Sequence, residues 1–311
     1  MKDRLWGGQK LKTLFHKPSL TETTGESWEL SGVTGDVSIV SNGEHKGKSL
    51  NDLIAVYGKE LLGSSVLNRF GEEFPILIKF IDAKQDLSIQ LHPNDALAKQ
   101  RHNSFGKTEM WHIMDADPGA NLIVGFNKDV SKDEYSKSLK ENTLLDLLNY
   151  EEVAKGDTFF INTGKIHAIG GGVLLAEIQQ TSDITYRVFD FNRKDKEGNL
   201  RELHTELALD AIDFDKKDDF KVAYSKDLNA VNKMVTCPYF ITNYLSLTED
   251  HVQDVSLRDS FTIFLCTSGN AVISNDWGEA SIKNGETVLL PAASNSIHIH
   301  TTKAELLEVT I

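Results

Sequence analysis

Cysteine is scarce in this chain. The 311 residues hold two, Cys237 and Cys266, too few for a disulfide framework or a thiolate metal cage. They read as small buried hydrophobes in a reducing cytoplasm. No run of about 18 uninterrupted apolar residues occurs, so no membrane span is indicated. The start, MKDRLWGGQKLKTLF, has neither an apolar signal core nor a small-residue cleavage site, and the expectation is a cytoplasmic protein. Positive charge is also in deficit: 33 Lys and Arg stand against 46 Asp and Glu, a net −13. That balance argues against nucleic acid or an anionic membrane as partner. An anionic substrate would need a local cationic pocket strong enough to outweigh this field. What is present is an ordinary globular composition, 40% hydrophobic and 25% charged, in a chain long enough for two or three domains.

The most informative stretch is LSIQLHPNDALAKQRHNSFGKTE, Leu87 to Glu109. Apolar and polar side chains alternate from Leu87 to His92, the period of a half-buried strand. Ser88, Gln90 and His92 therefore share one face, with Leu87, Ile89 and Leu91 on the core side. Pro93 ends the strand because it cannot donate to a ladder. A face carrying a hydroxyl, an amide and an imidazole is costly to bury unsatisfied, and a metal ion would satisfy it. Glu109 heads the next apolar run, Met110 to Met114.

Elsewhere the pattern is mostly β. Strands are expected at 27–31, 36–40, 74–80 and 121–126. A helix is expected over 50–70, capped by Ser49 or Asn51, and another around 205–212. Residues 128–155 read as a helical insertion, with Ser131 as cap and Glu134 three later. Turns are expected at 268–270, 275–278 and 283–285. Two segments repeat: Gly156 to His167 and Gly285 to Ser296 each run Gly turn, buried strand, small-residue turn, new strand. The expectation is two related β-barrels: residues 1–232 with the insertion at 128–155 and a connector at 194–232, then residues 233–311. Ser296 stands where the first copy has His167, so the second barrel reads as structural. His298 and His300, alternating on one strand, read as exposed or interface residues.

SIQLHPND, GKTEMW, GKIHAIGGG and QQTSDITYRVFDF, in this order and with WGG near the start, resemble type I mannose-6-phosphate isomerases, members of the cupin superfamily. The resemblance covers nearly the whole chain and implies a mainly β fold of two cupin (jelly-roll) barrels, the first bearing a small helical insertion. It implies zinc, one ion per chain, with Gln90, His92, Glu109 and His167 as ligands. It further implies Arg187, Asp183, Glu177 and Lys107 as catalytic residues, and Ser88, Lys107 and Arg187 as substrate contacts. The activity implied is interconversion of mannose 6-phosphate and fructose 6-phosphate through a metal-stabilised enediol(ate), with oligomeric state open.

The residue types suit that chemistry. Two imidazoles, a carboxylate and an amide oxygen leave a divalent ion open positions, as catalysis needs. Such a donor set suits zinc without excluding iron, manganese or cobalt. Lys107, Lys165 and Arg187 would supply the cationic pocket. Asp183, Glu177 and Lys107 each qualify as proton carrier, and Asp183 with Arg187 can also be read as a plain ion pair. The competing readings are a ferrous cupin dioxygenase, which leaves QQTSDITYR and the cationic pocket unexplained, and a non-catalytic sugar-binding cupin.

Overall fold

The computed structural model describes every residue except Leu20 and Lys196. It is mainly β, 40% strand against 16% helix. By contacts the chain separates into two compact units, residues 1–27 with 79–222 and residues 28–78 with 223–311.

The strands in chain order are β1 (Lys2–Gly8), β2 (Thr24–Leu30), β3 (Ile76–Ala83), β4 (Ile89–Leu91), β5 (Glu109–Ala116), β6 (Asn121–Phe126), β7 (Leu148–Glu152), β8 (Thr158–Ile161), β9 (His167–Ile169), β10 (Val173–Gln180) and β11 (Tyr186–Phe189). They form one sheet ordered β1-β2-β3-β10-β5-β8 and a second ordered β11-β4-β9-β6-β7. A shared apolar cluster fills between them: Ile81, Trp111, Ile113 and Leu175 come from the first sheet, Leu122, Val124 and Ile169 from the second. The other face of the second sheet, carrying Ile89, Leu91, Tyr186 and Val188, is covered by Val130, Tyr135 and Leu144 of the insertion. Polar residues of β4 are thereby turned toward the inside, as its alternation requires.

The helices are α1 (Lys10–Thr13), α2 (Leu50–Leu62), α3 (Ser64–Phe70), α4 (Asp95–His102), α5 (Lys132–Glu141) and α6 (Thr205–Ala208). Ser49 caps α2 with a reciprocal bond to Asp52, and Ser131 caps α5 by accepting from Glu134 N, 3.1 Å. The helix expected over 50–70 breaks at Gly63 (φ +92), where a Cβ would lie 2.4 Å from Asp259 O. Asp259 accepts from Ser64 N and Ser65 N at 2.6 and 2.8 Å and so caps α3. That cap ties residues 50–70 to the C-terminal part of the sequence, and the compact units accordingly do not follow a boundary at 232.

The insertion is only partly helical. Asn142 (φ 57) ends α5 in the left-handed conformation, a 3-10 turn follows at Leu144–Leu147, and β7 then pairs with β6. The helix at 205–212 shortens to α6, and of 36–40 only Ile39 forms a bridge, to Ser49.

In the second unit β12 (Val231–Thr236), β13 (Ile241–Leu247), β14 (His251–Asp254), β15 (Thr262–Asn275), β16 (Gly278–Lys283), β17 (Thr287–Leu290) and β18 (Ser296–Thr310) form one sheet. The turn expected at 268–270 is absent, because β15 runs through it as a bulge beside β18. Gly269 makes this possible: its φ is +75, and a Cβ would lie 2.1 Å from Lys303 O. None of the three sheets closes on itself among the described residues, so the two barrels expected from the repeat are open sheets. His298 Nε2 lies 3.3 Å from Ser296 Oγ, and His300 Nδ1 2.9 Å from Asp250 Oδ2.

Candidate metal centre and active site

The register of the second sheet assembles the site. Gln90 on β4 pairs with His167 on β9 at one side and with Arg187 on β11 at the other. Cross-strand partners share a face, so the three stand in one row. His92 follows two residues beyond Gln90. Glu109 opens β5 in the first sheet, paired with Gln179 and Ile161.

His92, Glu109 and His167 form a fully buried cluster whose ligand atoms all lie within 4.8 Å of one another. His92 Nε2 is 3.2 Å from Glu109 Oε1, and His167 Nε2 is 3.9 Å from Glu109 Oε2. Both rings are anchored from behind. His92 Nδ1 lies 2.8 Å from the Ile184 carbonyl and His167 Nδ1 2.8 Å from the Lys165 carbonyl. A carbonyl only accepts, so each Nδ1 carries the proton and each Nε2 presents its lone pair to the cluster.

Burial, reinforced by the Lys107 ammonium, pushes His92 down to about 4 against the pull of Glu109. Burial likewise lowers His167. For Glu109 burial acts to raise the pKa, but Lys107 and the two histidines outweigh it and hold the carboxyl well below its usual range. Near neutrality the cluster is two neutral imidazoles and a carboxylate, the protonation state a metal requires. Both Glu109 oxygens and His167 Nε2 are buried without a well-formed hydrogen bond. Lys107 Nζ sits 2.5 Å from Glu109 Oε1 and 3.1 Å from His92 Nε2, close but poorly aligned with the carboxylate. Leaving such atoms unsatisfied is expensive, and a divalent cation is the group that would satisfy all of them at once. Gln90, half-buried, makes no side-chain hydrogen bond among the described residues and is free to add an amide oxygen.

The other expected site residues divide. Arg187 donates from Nε to Ser88 Oγ (3.3 Å) and from Nη1 to the Glu202 carbonyl (2.9 Å). Asp183 is exposed and makes no ion pair with Arg187 among the described residues, so the simple pairing of these two is not what the fold contains. Glu177 is buried, its Oε1 2.8 Å from Lys79 Nζ and its Oε2 accepting from Trp111 Nε1 at 2.9 Å. The Lys165 ammonium pairs with Asp219 (3.7 Å) and lies over the Phe220 ring (4.4 Å), so that only the Lys165 carbonyl touches His167 while the charge acts on it through its field.

Three residues of this network were not singled out in the sequence. Lys79 also donates to Gln179 Oε1 at 2.6 Å, and the Trp111 ring stands edge-on to His167, centroids 5.3 Å apart. The available signal was the lone lysine inside the apolar run FPILIKF. Burial alone would lower its pKa, yet Glu177, Glu26 and Glu109 together hold it raised. Lys79→Met should leave the Glu177 carboxylate buried beside an alkyl chain, at a cost of about 3–5 kcal/mol. A chemical denaturation curve checks this; a shift below about 1 kcal/mol would mean the pair is solvated rather than structural.

Comparison with known proteins follows the same lines. The family description "Phosphomannose isomerase type I, catalytic domain" matches residues 1–143, and "Mannose-6-phosphate isomerase, cupin domain" matches residues 230–311. The mannose-6-phosphate isomerase of Streptococcus mutans is 33% identical over 291 residues, covering 94% of this chain and 90% of that protein. The chain belongs to the type I phosphomannose isomerase family. The Bacillus subtilis mannose-6-phosphate isomerase ManA is also 33% identical, over 93% of this chain and 90% of its own. A crystal structure of the mannose 6-phosphate isomerase from Bacillus subtilis matches with a TM-score of 0.88 at 29% identity, covering 100% of this chain and 96% of that one. As a type I phosphomannose isomerase the chain is an enzyme of the aldose–ketose isomerase class. His167, Glu177, Asp183 and Arg187 fall between the two family-matched segments, so the reading of those four rests on the geometry above.

Proposed function

We propose that this chain interconverts mannose 6-phosphate and fructose 6-phosphate with one divalent metal ion, zinc by its donor set, held by Gln90, His92, Glu109 and His167. The observation that carries the reading is the buried cluster itself: two imidazoles anchored through Nδ1, beside a carboxylate whose oxygens lack hydrogen bonds. A bound divalent ion supplies Lewis acidity, stabilising negative charge as it develops on the substrate's O1 and O2.

The chain's own groups do the rest. Isomerisation takes a proton from C2 and returns one to C1 by way of an enediol(ate). Arg187, next to Gln90 in register, offers a permanent planar cation to the oxygens that gain charge. Its Nε bond to Ser88 fixes the fork on the inner face of the sheet. Lys107, Glu177 and Asp183 are the three candidates for the one proton carrier this transfer needs. The Lys107 nitrogen already stands at the cluster, whereas Glu177 commits both oxygens to Lys79 and Trp111. Exposed Asp183 can exchange protons with solvent.

A coupled assay of fructose 6-phosphate formation from mannose 6-phosphate tests the proposal. Run in heavy water, it should yield product carrying deuterium at C1, because the proton passes through an exchangeable side chain. Sugars still free of deuterium after prolonged equilibration over many turnovers would point to direct hydride transfer and overturn the enediol(ate) route. Absence of turnover in metal-replete protein would overturn the function.

A further inference from the structure

β11 is the outer strand of its sheet among the described residues, so one row of its backbone groups faces away from β4. Folds commonly cover such an edge with a loop. At Arg187 the cover is His204. Arg187 N donates to His204 Nδ1 at 3.2 Å, and Arg187 O accepts from His204 N at 2.7 Å. His204 thus takes both polar groups that a further strand would have taken, with an imidazole nitrogen in place of a carbonyl. With both groups turned outward, Arg187 and Gln90 face each other as a non-hydrogen-bonded pair, the kind in which opposed side chains stand closest. The same segment reaches the guanidinium, whose Nη1 donates to Glu202 O at 2.9 Å.

A backbone N–H only donates, so His204 Nδ1 turns its lone pair to Arg187 and Nε2 carries the ring proton. His204 immediately precedes α6, a place where a side chain often caps the helix, yet it makes no capping bond. The ring turns back to β11 instead, tilted beside Tyr186 with centroids 6.4 Å apart. The segment that carries it is pinned further on. Buried Ala208 donates from its N to His204 O at 2.9 Å, and Arg101 of α4 donates to Leu207 O at 3.1 Å. Almost any residue at 204 supplies the backbone bond. Only one with an acceptor at the reach of Nδ1 receives Arg187 N.

We propose that His204 is a positioning residue for the reaction, fixing Arg187 against Gln90 so that the guanidinium held by Ser88 and the Glu202 carbonyl is aimed at the site. The inference rests on the reading that Arg187 acts on the sugar's oxygens. It places control of that arginine on a side chain outside the His92–Glu109–His167 cluster. Aim matters because a misplacement of about 1 Å, caused from far away, can cost on the order of 10²-fold in rate.

The test uses full-length metal-replete protein with three substitutions. His204→Leu removes the acceptor, His204→Asn puts an amide oxygen where Nδ1 stood, and His204→Gln puts one farther out, at the place of Nε2. In His204→Leu kcat should fall at least about tenfold with bound metal unchanged. His204→Asn should recover most of that loss and His204→Gln little of it. In Arg187→Lys protein, whose fork is already gone, adding His204→Leu should cost less than about twofold more. Equal losses in both backgrounds would overturn the proposal, as would unchanged kcat in folded His204→Leu or a His204→Asn no better than His204→Gln. If His204→Leu does not fold, the Asn and Gln variants decide between themselves. If Arg187→Lys leaves kcat intact, the role of Arg187 falls and that of His204 with it. If the wild-type protein turns over no sugar phosphate, hydrogen exchange at the Arg187 amide still reads the contact. Slow exchange in the wild type and His204→Asn, with exchange at least about tenfold faster in His204→Leu and His204→Gln, would uphold the positioning of Arg187 while the isomerase reading failed. Equal exchange in all four would overturn it.

Discussion

His167→Ala is expected to lose metal and activity together. The imidazole is one of three buried groups in the cluster, and its ring is fixed by the Lys165 carbonyl and faced by the edge of Trp111. Removing it leaves His92, Glu109 and half-buried Gln90, too few donors for a tight site. Loss of a group that only hydrogen-bonds a metal ligand commonly costs about 10–100-fold in affinity or activity, so loss of a direct ligand should exceed about 100-fold. Metal content after gel filtration and the coupled assay should fall in parallel, with the melting transition kept cooperative. Full metal occupancy in this variant would remove His167 from the site.

Arg187→Lys separates binding from chemistry. Arg187 stands beside Gln90 in register, on the face opposite Tyr186 and Val188, which are packed under the insertion. If the guanidinium meets charge that grows in the transition state, its loss lowers kcat as well as kcat/KM. An oriented donor in a water-poor site is typically worth about 10²–10³ in rate. Lysine keeps the charge but not the planar fork that reaches Ser88 and the Glu202 carbonyl together. The variant should therefore keep its metal and its fold and turn over at least about a hundredfold more slowly. A rise in KM at constant kcat would instead make Arg187 a clamp for the bound substrate that takes no part in the reaction.

Much of the site was legible because it is written in strand periodicity. Ser88, Gln90 and His92 alternate in sequence and share a face in the fold, and Glu109 heads a strand as its apolar run suggested. His167 was reached through the Gly156–His167 segment, whose turn and strand recur in the structure as β8 and β9. The rest depended on partners far away in sequence. Lys79 looks misplaced in FPILIKF until Glu177, 98 residues later, neutralises it. Gly63 breaks a helix that local spacing favours because Asp259 supplies a cap from 195 residues away. The insertion's second half became β7 because Leu148 is buried beside β6, where its edge was free to pair. The positive φ values at Phe191 and Asn192 run against residue preference, and no reading of local propensity anticipates them.

The central claim is that a single divalent ion at the His92–Glu109–His167 cluster is what makes this chain an active isomerase. The most direct measurement is a titration of chelator-treated protein with zinc, reading bound metal and mannose 6-phosphate turnover in the same samples. The account predicts negligible activity without metal, a linear rise, and a sharp break at one ion per chain. A break at two ions per chain, or turnover that survives complete removal of metal, would contradict it.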